Sequence, residues 1–135
     1  MREIKFRAWD PKRKQMWYGV ECWDDLPLII CKQGKYVDWV LMQYTELRDR
    51  NGKEIYEGDI VEANIDGYEC LAVIDYSNAS FWVKVIDAPE GSDIKRGMGV
   101  GLIGDNGIVK FVEVIGNVFE DRYLAVWVLR KRDQS

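Results

Sequence analysis

Glu57 and Asp59, two apart in the stretch IYEGDIV, are the best-placed pair of carboxylates in this sequence for joint chemistry, because residues at i and i+2 of an extended strand face the same side. Such a pair could help to hold a hard divalent cation, and an enzyme using Glu57, Asp59 or Asp105 with Mg²⁺ is the least favoured reading. Without a third converging ligand the pair is an incomplete site, so no metal, cofactor or catalytic residue is expected. Upstream, Asp49, Asn51 and Gly52 match part of a calcium-loop pattern. The register fails, since taking Gly52 as the loop glycine puts Leu47 at the first ligand position and Gly58 at the bidentate glutamate position. A second group is cationic and aromatic: Lys12, Arg13 and Lys14 lie near Trp9 and Trp17, with Arg7 on the same segment. Aromatic and arginine side chains anchor protein interfaces, and lysines beside aromatic rings can also receive phosphates and stacked bases. Arg7, Trp9, Lys12, Arg13, Lys14 and Trp17 are therefore the candidate binding residues.

The chain has no histidine, which excludes Ser-His and Cys-His nucleophilic pairs, His-ligated zinc and an imidazole general base. Its three cysteines, Cys22, Cys31 and Cys70, form no CxxC and leave one over, so neither a disulfide framework nor a zinc knuckle is expected. Buried, inert thiols are the expectation.

These residues need elements to position them, and turn signals recur along the chain at Asp10-Pro11, Gln33-Gly34, Asn51-Gly52, Asp66-Gly67, Ser77-Asn78, Pro89-Glu90-Gly91 and Asn106-Gly107. Between them lie short runs rich in Val, Ile, Tyr, Phe and Trp. The spacing predicts an all-β fold, a single-domain antiparallel sandwich or partly open barrel with several hairpins spanning residues 1–135. EIKFRAW alternates as a half-buried strand, with Ile4, Phe6 and Ala8 on one face and Lys5, Arg7 and Trp9 on the other. MWYGVECW returns beside it across the exposed basic tip DPKRK. LPLIICK, residues 26–32, reads as a strand buried on both faces or lying at a subunit contact. Residues 36–47 fit either helix or strand, and their β-branched and aromatic content favours strand. Asn51-Gly52 suits a type I′ turn, Glu57-Gly58-Asp59 a bend or bulge, and Asp66-Gly67 the next hairpin turn. YECLAVIDY and FWVKVID form a hairpin. Six glycines within residues 88–107 read as a mobile loop or glycine-rich edge strand, not a phosphate-cradling loop. IVKFVEVIGNVFED and YLAVWVLRKR supply the last strands.

At 135 residues and 47% hydrophobic content, the chain has the material for one core. No apolar run is long enough to span a membrane, and the charged start MREIKFRAWD lacks a signal peptide's apolar stretch, so a soluble cytoplasmic protein is expected. The net charge of -4 hides an asymmetry: residues 1–20 hold six bases against two acids, whereas residues 54–94 hold ten acids against Lys84 alone. Such blocks can pair within the chain or between copies.

MREIKFRAWDPKRKQMWY, LMQYTELRDRNGKEIYEGDIVEA and EVIGNVFED together resemble the YopX family of small bacteriophage and prophage proteins. The resemblance covers residues 1–18, 41–63 and 113–121. It departs at Glu46, where the family pattern usually has glycine after Tyr-Thr. It implies a β-rich domain, encoded by a phage or prophage and working in the bacterial cytoplasm, with no activity or catalytic residue to carry over. Most matching positions are those that a β-fold needs at turns and in its core. Arg7, Trp9, Asp10, Gln43 and Asp59 are polar or aromatic exceptions, read mainly as internal hydrogen-bonding connectors. The expected function is non-enzymatic binding of an unidentified host or phage protein. Homo-oligomeric assembly is the alternative, followed by nucleic-acid binding, and no membrane partner is expected.

Overall fold

The computed structural model describes residues 3–104, 107–121 and 124. Among these residues the protein is mostly β, with two antiparallel sheets, one of them curled into a half-barrel, one short helix and three 3-10 turns. The first sheet has the order β2-β1-β3-β4, from β1 (Phe6–Asp10), β2 (Gln15–Tyr18), β3 (Val40–Arg48) and β4 (Glu54–Tyr56). The second has the order β8-β7-β6-β5-β9, from β5 (Asp59–Ile65), β6 (Tyr68–Ser77), β7 (Ser80–Asp87), β8 (Gly99–Gly101) and β9 (Val112–Asn117). The glycine-rich segment thus contributes an edge strand. The main core lies on the second sheet, where Val61, Ala63, Ala72, Ile74 and Val83 point inward against Ile55 of β4.

β1 departs from the half-buried strand expected of it. It lies between β2 and β3, and it is covered on both faces: Ala8 packs under Val20, Ile29, Tyr36 and Trp39, while Trp9 on the other face packs with Met16 and Met42. Arg7 and Trp9 are therefore buried, at 2% and 8% exposure.

The segment between β2 and β3 differs most from expectation. MWYGVECW is a strand only to Tyr18, after which a 3-10 turn spans Val20–Cys22. LPLIICK forms helix α1 (Leu26–Ile30) rather than a buried strand. Pro27 cannot donate to a ladder, and its fixed φ suits the first turn of a helix. The Leu28 and Ile29 N–H groups donate to the Asp25 carbonyl at 2.9 and 3.1 Å, and the Cys31 N–H donates to the Pro27 carbonyl at 3.0 Å. Another 3-10 turn, Gly34–Tyr36, precedes β3, so the strand expected over residues 36–47 begins at Val40. Cys22 and Cys31 are exposed and only Cys70 is buried, because the inward positions of this excursion belong to Val20 and Ile29.

The turns match their sequence signals unevenly. Asp66-Gly67 has φ of 51° and 87°, positive at both positions as a type I′ hairpin requires, and Asn78-Ala79 does the same at 51° and 61° between β6 and β7. At Asn51-Gly52 only Gly52 is positive, at 84°. The connection is longer than a two-residue turn because Asp49 Oδ1 accepts from the N–H groups of both Asn51 and Lys53, at 2.9 Å each. IVKF forms a 3-10 turn (Ile108–Phe111) before β9. The strand expected in YLAVWVLRKR, together with Asp105 and Asn106, lies outside the described residues apart from Leu124.

Candidate functional site

The two sheets meet at Glu57-Gly58, the turn between β4 and β5. Gly58 has φ 87°, a backbone conformation that favours glycine, and a Cβ there would stand a tight 3.0 Å from Met42 Sδ. The Gly58 N–H donates to the Ile74 carbonyl at 2.8 Å, and the Val118 N–H donates to the Gly58 carbonyl at 3.0 Å, which ties β6 and the end of β9 to the turn. Beneath it, Arg7 Nη2 donates to Asp59 Oδ1 at 2.9 Å and to the Glu57 carbonyl at 3.1 Å. The Tyr56 N–H donates to Asp59 Oδ2 at 2.8 Å, and the Arg7 guanidinium sits 4.8 Å from the centre of the Tyr56 ring.

At this pair opens a cleft of about 610 Å³, lined also by Tyr18, Arg48, Lys53, Gly116, Glu120 and Asp121. Its size suits a small molecule. Burial raises the pKa of Asp59 while Arg7 and the Tyr56 N–H oppose that rise, and burial pushes the Tyr56 hydroxyl up to about 12. Both Asp59 oxygens are engaged, one by a guanidinium and one by a backbone N–H, so the carboxylate connects β1 to the β4–β5 turn. Glu57, expected on a strand beside Asp59, lies instead in the turn, where its Oε1 accepts from the Gln43 N–H at 3.3 Å. Among the described residues, no three of His, Cys, Asp and Glu converge as metal ligands.

The other polar residues of the sequence motifs do similar work. Asp10, 1% exposed, accepts from the Lys12 and Arg13 N–H groups and from the Arg13 guanidinium, closing the β1–β2 tip. Asp49, 6% exposed, reaches across to the second sheet, where its Oδ2 accepts from the Val114 N–H at 2.8 Å. Asn117 Oδ1 accepts from the Phe119 and Glu120 N–H groups at 3.0 and 2.8 Å, shaping the turn that lays Phe119 on Trp9 with ring centres 5.7 Å apart. Arg7, Asp10, Asp49, Asp59 and Asn117 are thus all buried connectors.

The structure divides the six candidate binding residues. Lys12, Arg13 and Lys14 are exposed at the hairpin tip. Trp9 lies opposite Met16 and Trp17 opposite Ala8, so the two tryptophans point to opposite faces of the sheet. Trp9 is buried, and Trp17 packs edge-on to Trp23 at 5.7 Å in the cluster beneath the excursion. Arg7 is engaged by Asp59. No single surface collects all six.

A face that the sequence reading missed lies on the excursion. Leu28, Ile30 and Val37 are 41%, 56% and 57% exposed, while Ile29 between the first two is buried. Asp25 accepts from the Tyr36 hydroxyl at 2.6 Å and so fastens α1 to the following 3-10 turn. The available signal was Asp25-Leu26-Pro27, a helix start that converts a continuous apolar run into a helix with Ile29 turned inward and Leu28 and Ile30 left exposed on either side of it.

Comparison with known proteins adds the lineage. The family model described as YopX protein matches residues 5–124. The crystal structure of protein EF1440 from Enterococcus faecalis is 22% identical, with a TM-score of 0.57, covering 93% of this chain and 99% of that one. The crystal structure of protein yopX from Bacillus subtilis is also 22% identical, with a TM-score of 0.52, covering 89% of this chain and 96% of that one. At this identity the two structures share the fold alone. No curated protein matches the chain.

Proposed function

The chain belongs to the YopX family, and from that premise we propose that it is a non-enzymatic binding module that docks a protein chain on the exposed apolar side chains of the excursion that holds α1. The observation that carries this reading is the exposure of Leu28 and Ile30 on α1 and of Val37 just after the next 3-10 turn, on an excursion fastened down by Ile29 and Asp25. Complete burial of a Leu or Ile side chain stabilises by about 1.5–3 kcal/mol, so covering two half-exposed ones supplies a useful part of a binding energy. The polar motif residues support the reading from the other side, since their side chains are engaged inside the fold. In this reading the chain is phage- or prophage-encoded and acts in the bacterial cytoplasm, as the family resemblance implies.

The test is capture from the bacterial host with a tagged chain, with and without nuclease, using the wild type and Ile30→Asp. A protein retained after nuclease and lost with Ile30→Asp supports the reading. Recovery that nuclease abolishes would replace it with nucleic-acid binding at Lys12, Arg13 and Lys14, and capture indifferent to Ile30→Asp would remove the α1 face from consideration.

A further inference from the structure

We infer that the cleft at Arg7 and Asp59 binds a small zwitterion of the free amino-acid class, with its carboxylate at Lys53 and its ammonium at Glu120 and Asp121. The inference is independent of the docking reading above, because no residue of α1 or of the 3-10 turn after it lines this cleft.

Charges of both signs line the cleft: Arg7, Arg48 and Lys53 against Glu54, Asp59, Glu120 and Asp121. Arg7 is paired with Asp59 at 2.9 Å and Arg48 with Glu54 at 3.6 Å, whereas Lys53, Glu120 and Asp121 make no ion pair among the described residues. A lone anion would meet two uncompensated acids, and a lone cation would meet Lys53 beside two guanidinium groups. A molecule that carries both signs satisfies each of them.

The two acids are held in place by neutral donors, which orient them without cancelling their charge. Asp121 Oδ2 accepts from the Asn117 N–H at 3.1 Å, and Glu120 Oε1 accepts from the Asn117 side-chain amide at 3.0 Å. A Cβ at Gly116 would stand 2.7 Å from the same Asp121 oxygen, so a side chain there would push this carboxylate aside. On the cationic side, the Arg7 Nε N–H has no acceptor among the described residues, although the side chain is 3% exposed and lines the cleft. Buried donors are nearly always satisfied, so this one marks a place for an oxygen that the protein does not supply. The Lys53 charge is felt at the same place, since burial raises the pKa of Asp59 while Arg7 and Lys53 oppose that rise. Tyr18, 56% exposed, meets Tyr56 edge-on at 5.7 Å, and both rings line the cleft. They favour an amino acid with an aromatic side chain over glycine.

Isothermal titration calorimetry of the purified full chain with the free L-amino acids tests this, with acetate, inorganic phosphate and methylammonium as probes of single charge. An aromatic amino acid should bind most tightly, and each single-charge probe should bind about tenfold more weakly or worse. Lys53→Gln and the double variant Glu120→Gln/Asp121→Asn should each weaken binding by about tenfold. Lys110→Gln, at an exposed position outside the cleft, should bind as the wild type does. The substituted positions are exposed, the amides keep the acceptors that shape the turn at Asn117, and matching circular dichroism would confirm that the variants fold. Absence of saturable binding by every amino acid at millimolar concentration overturns the inference. So does acetate or phosphate binding as tightly as the best amino acid, or binding that neither cleft variant weakens.

Discussion

Arg7 Nη2 lies 2.9 Å from Asp59 Oδ1, joining β1 of the first sheet to the first residue of β5 in the second, with 3% of each side chain exposed. Burying two charges is costly, and the pair holds because each group also has backbone partners, the Glu57 carbonyl for Arg7 and the Tyr56 N–H for Asp59. Removing one partner leaves the other buried and charged. Asp59→Asn or Arg7→Met alone should therefore cost about 3–5 kcal/mol in urea unfolding, while Arg7→Met with Asp59→Leu should recover most of that loss. A double variant as unstable as the sum of the singles would show that the pair has no internal coupling.

Glu46 occupies the bulge between Tyr44 and Arg48 of β3 with φ 71°, a left-handed conformation that disfavours side chains. This is the position at which the family pattern usually has glycine. Glu46→Gly should raise stability by about 0.5–1 kcal/mol, measured as a higher urea midpoint with unchanged slope. Equal or lower stability would mean that the glutamate's own contacts outweigh the strain.

Acid stability follows Asp10. Burial raises the pKa of its carboxyl, but the Arg13 guanidinium and the Arg13 and Lys12 N–H groups lower it further and leave it below 3.8. A depressed folded pKa gives stabilisation that is present above the unfolded value and lost as pH falls through the folded one. Glu57 and Asp59 act in the opposite sense: burial raises both, so their contribution falls as pH rises through the raised values. Asp10→Asn, which retains a turn acceptor, should cost about 1 kcal/mol at neutral pH and flatten the loss of stability below pH 3.8. A variant whose acid limb matched the wild type would assign acid unfolding to other carboxylates.

The sequence was readable where the decisive interaction is local. Asp66-Gly67 encodes its turn in two residues, and the alternation of β5 and β6 encodes their buried faces. It was unreadable where the partner is distant. The alternation of EIKFRAW placed Arg7 on an outer face because nothing nearby reveals Asp59, 52 residues on, or Phe119 lying over Trp9. α1 was missed for a different reason: a continuous apolar run fits a buried strand as well as a helix, and only Pro27 separates them. The cluster expected at Lys12–Lys14 with Trp9 and Trp17 assumed one surface, whereas the pairing of Ala8 with Trp17 and Trp9 with Met16 splits it between two faces.

Ile30 has 56% of its surface exposed, so its side chain contributes little to folding. Ile30→Asp should shift the thermal midpoint by no more than the change expected at an ordinary surface position, within about 0.5 kcal/mol. A large loss of stability would mean that the α1 face is covered within the fold itself.

The docking claim is tested most directly by site-specific photocrosslinking in the bacterial host, with the photoreactive residue placed at position 30 on α1 or at position 53 in the cleft. Both positions are exposed, so both variants should fold. The account predicts a discrete protein adduct from position 30 and none from position 53. An adduct from position 53 with none from position 30 would contradict it and move the binding site to the cleft above Arg7 and Asp59.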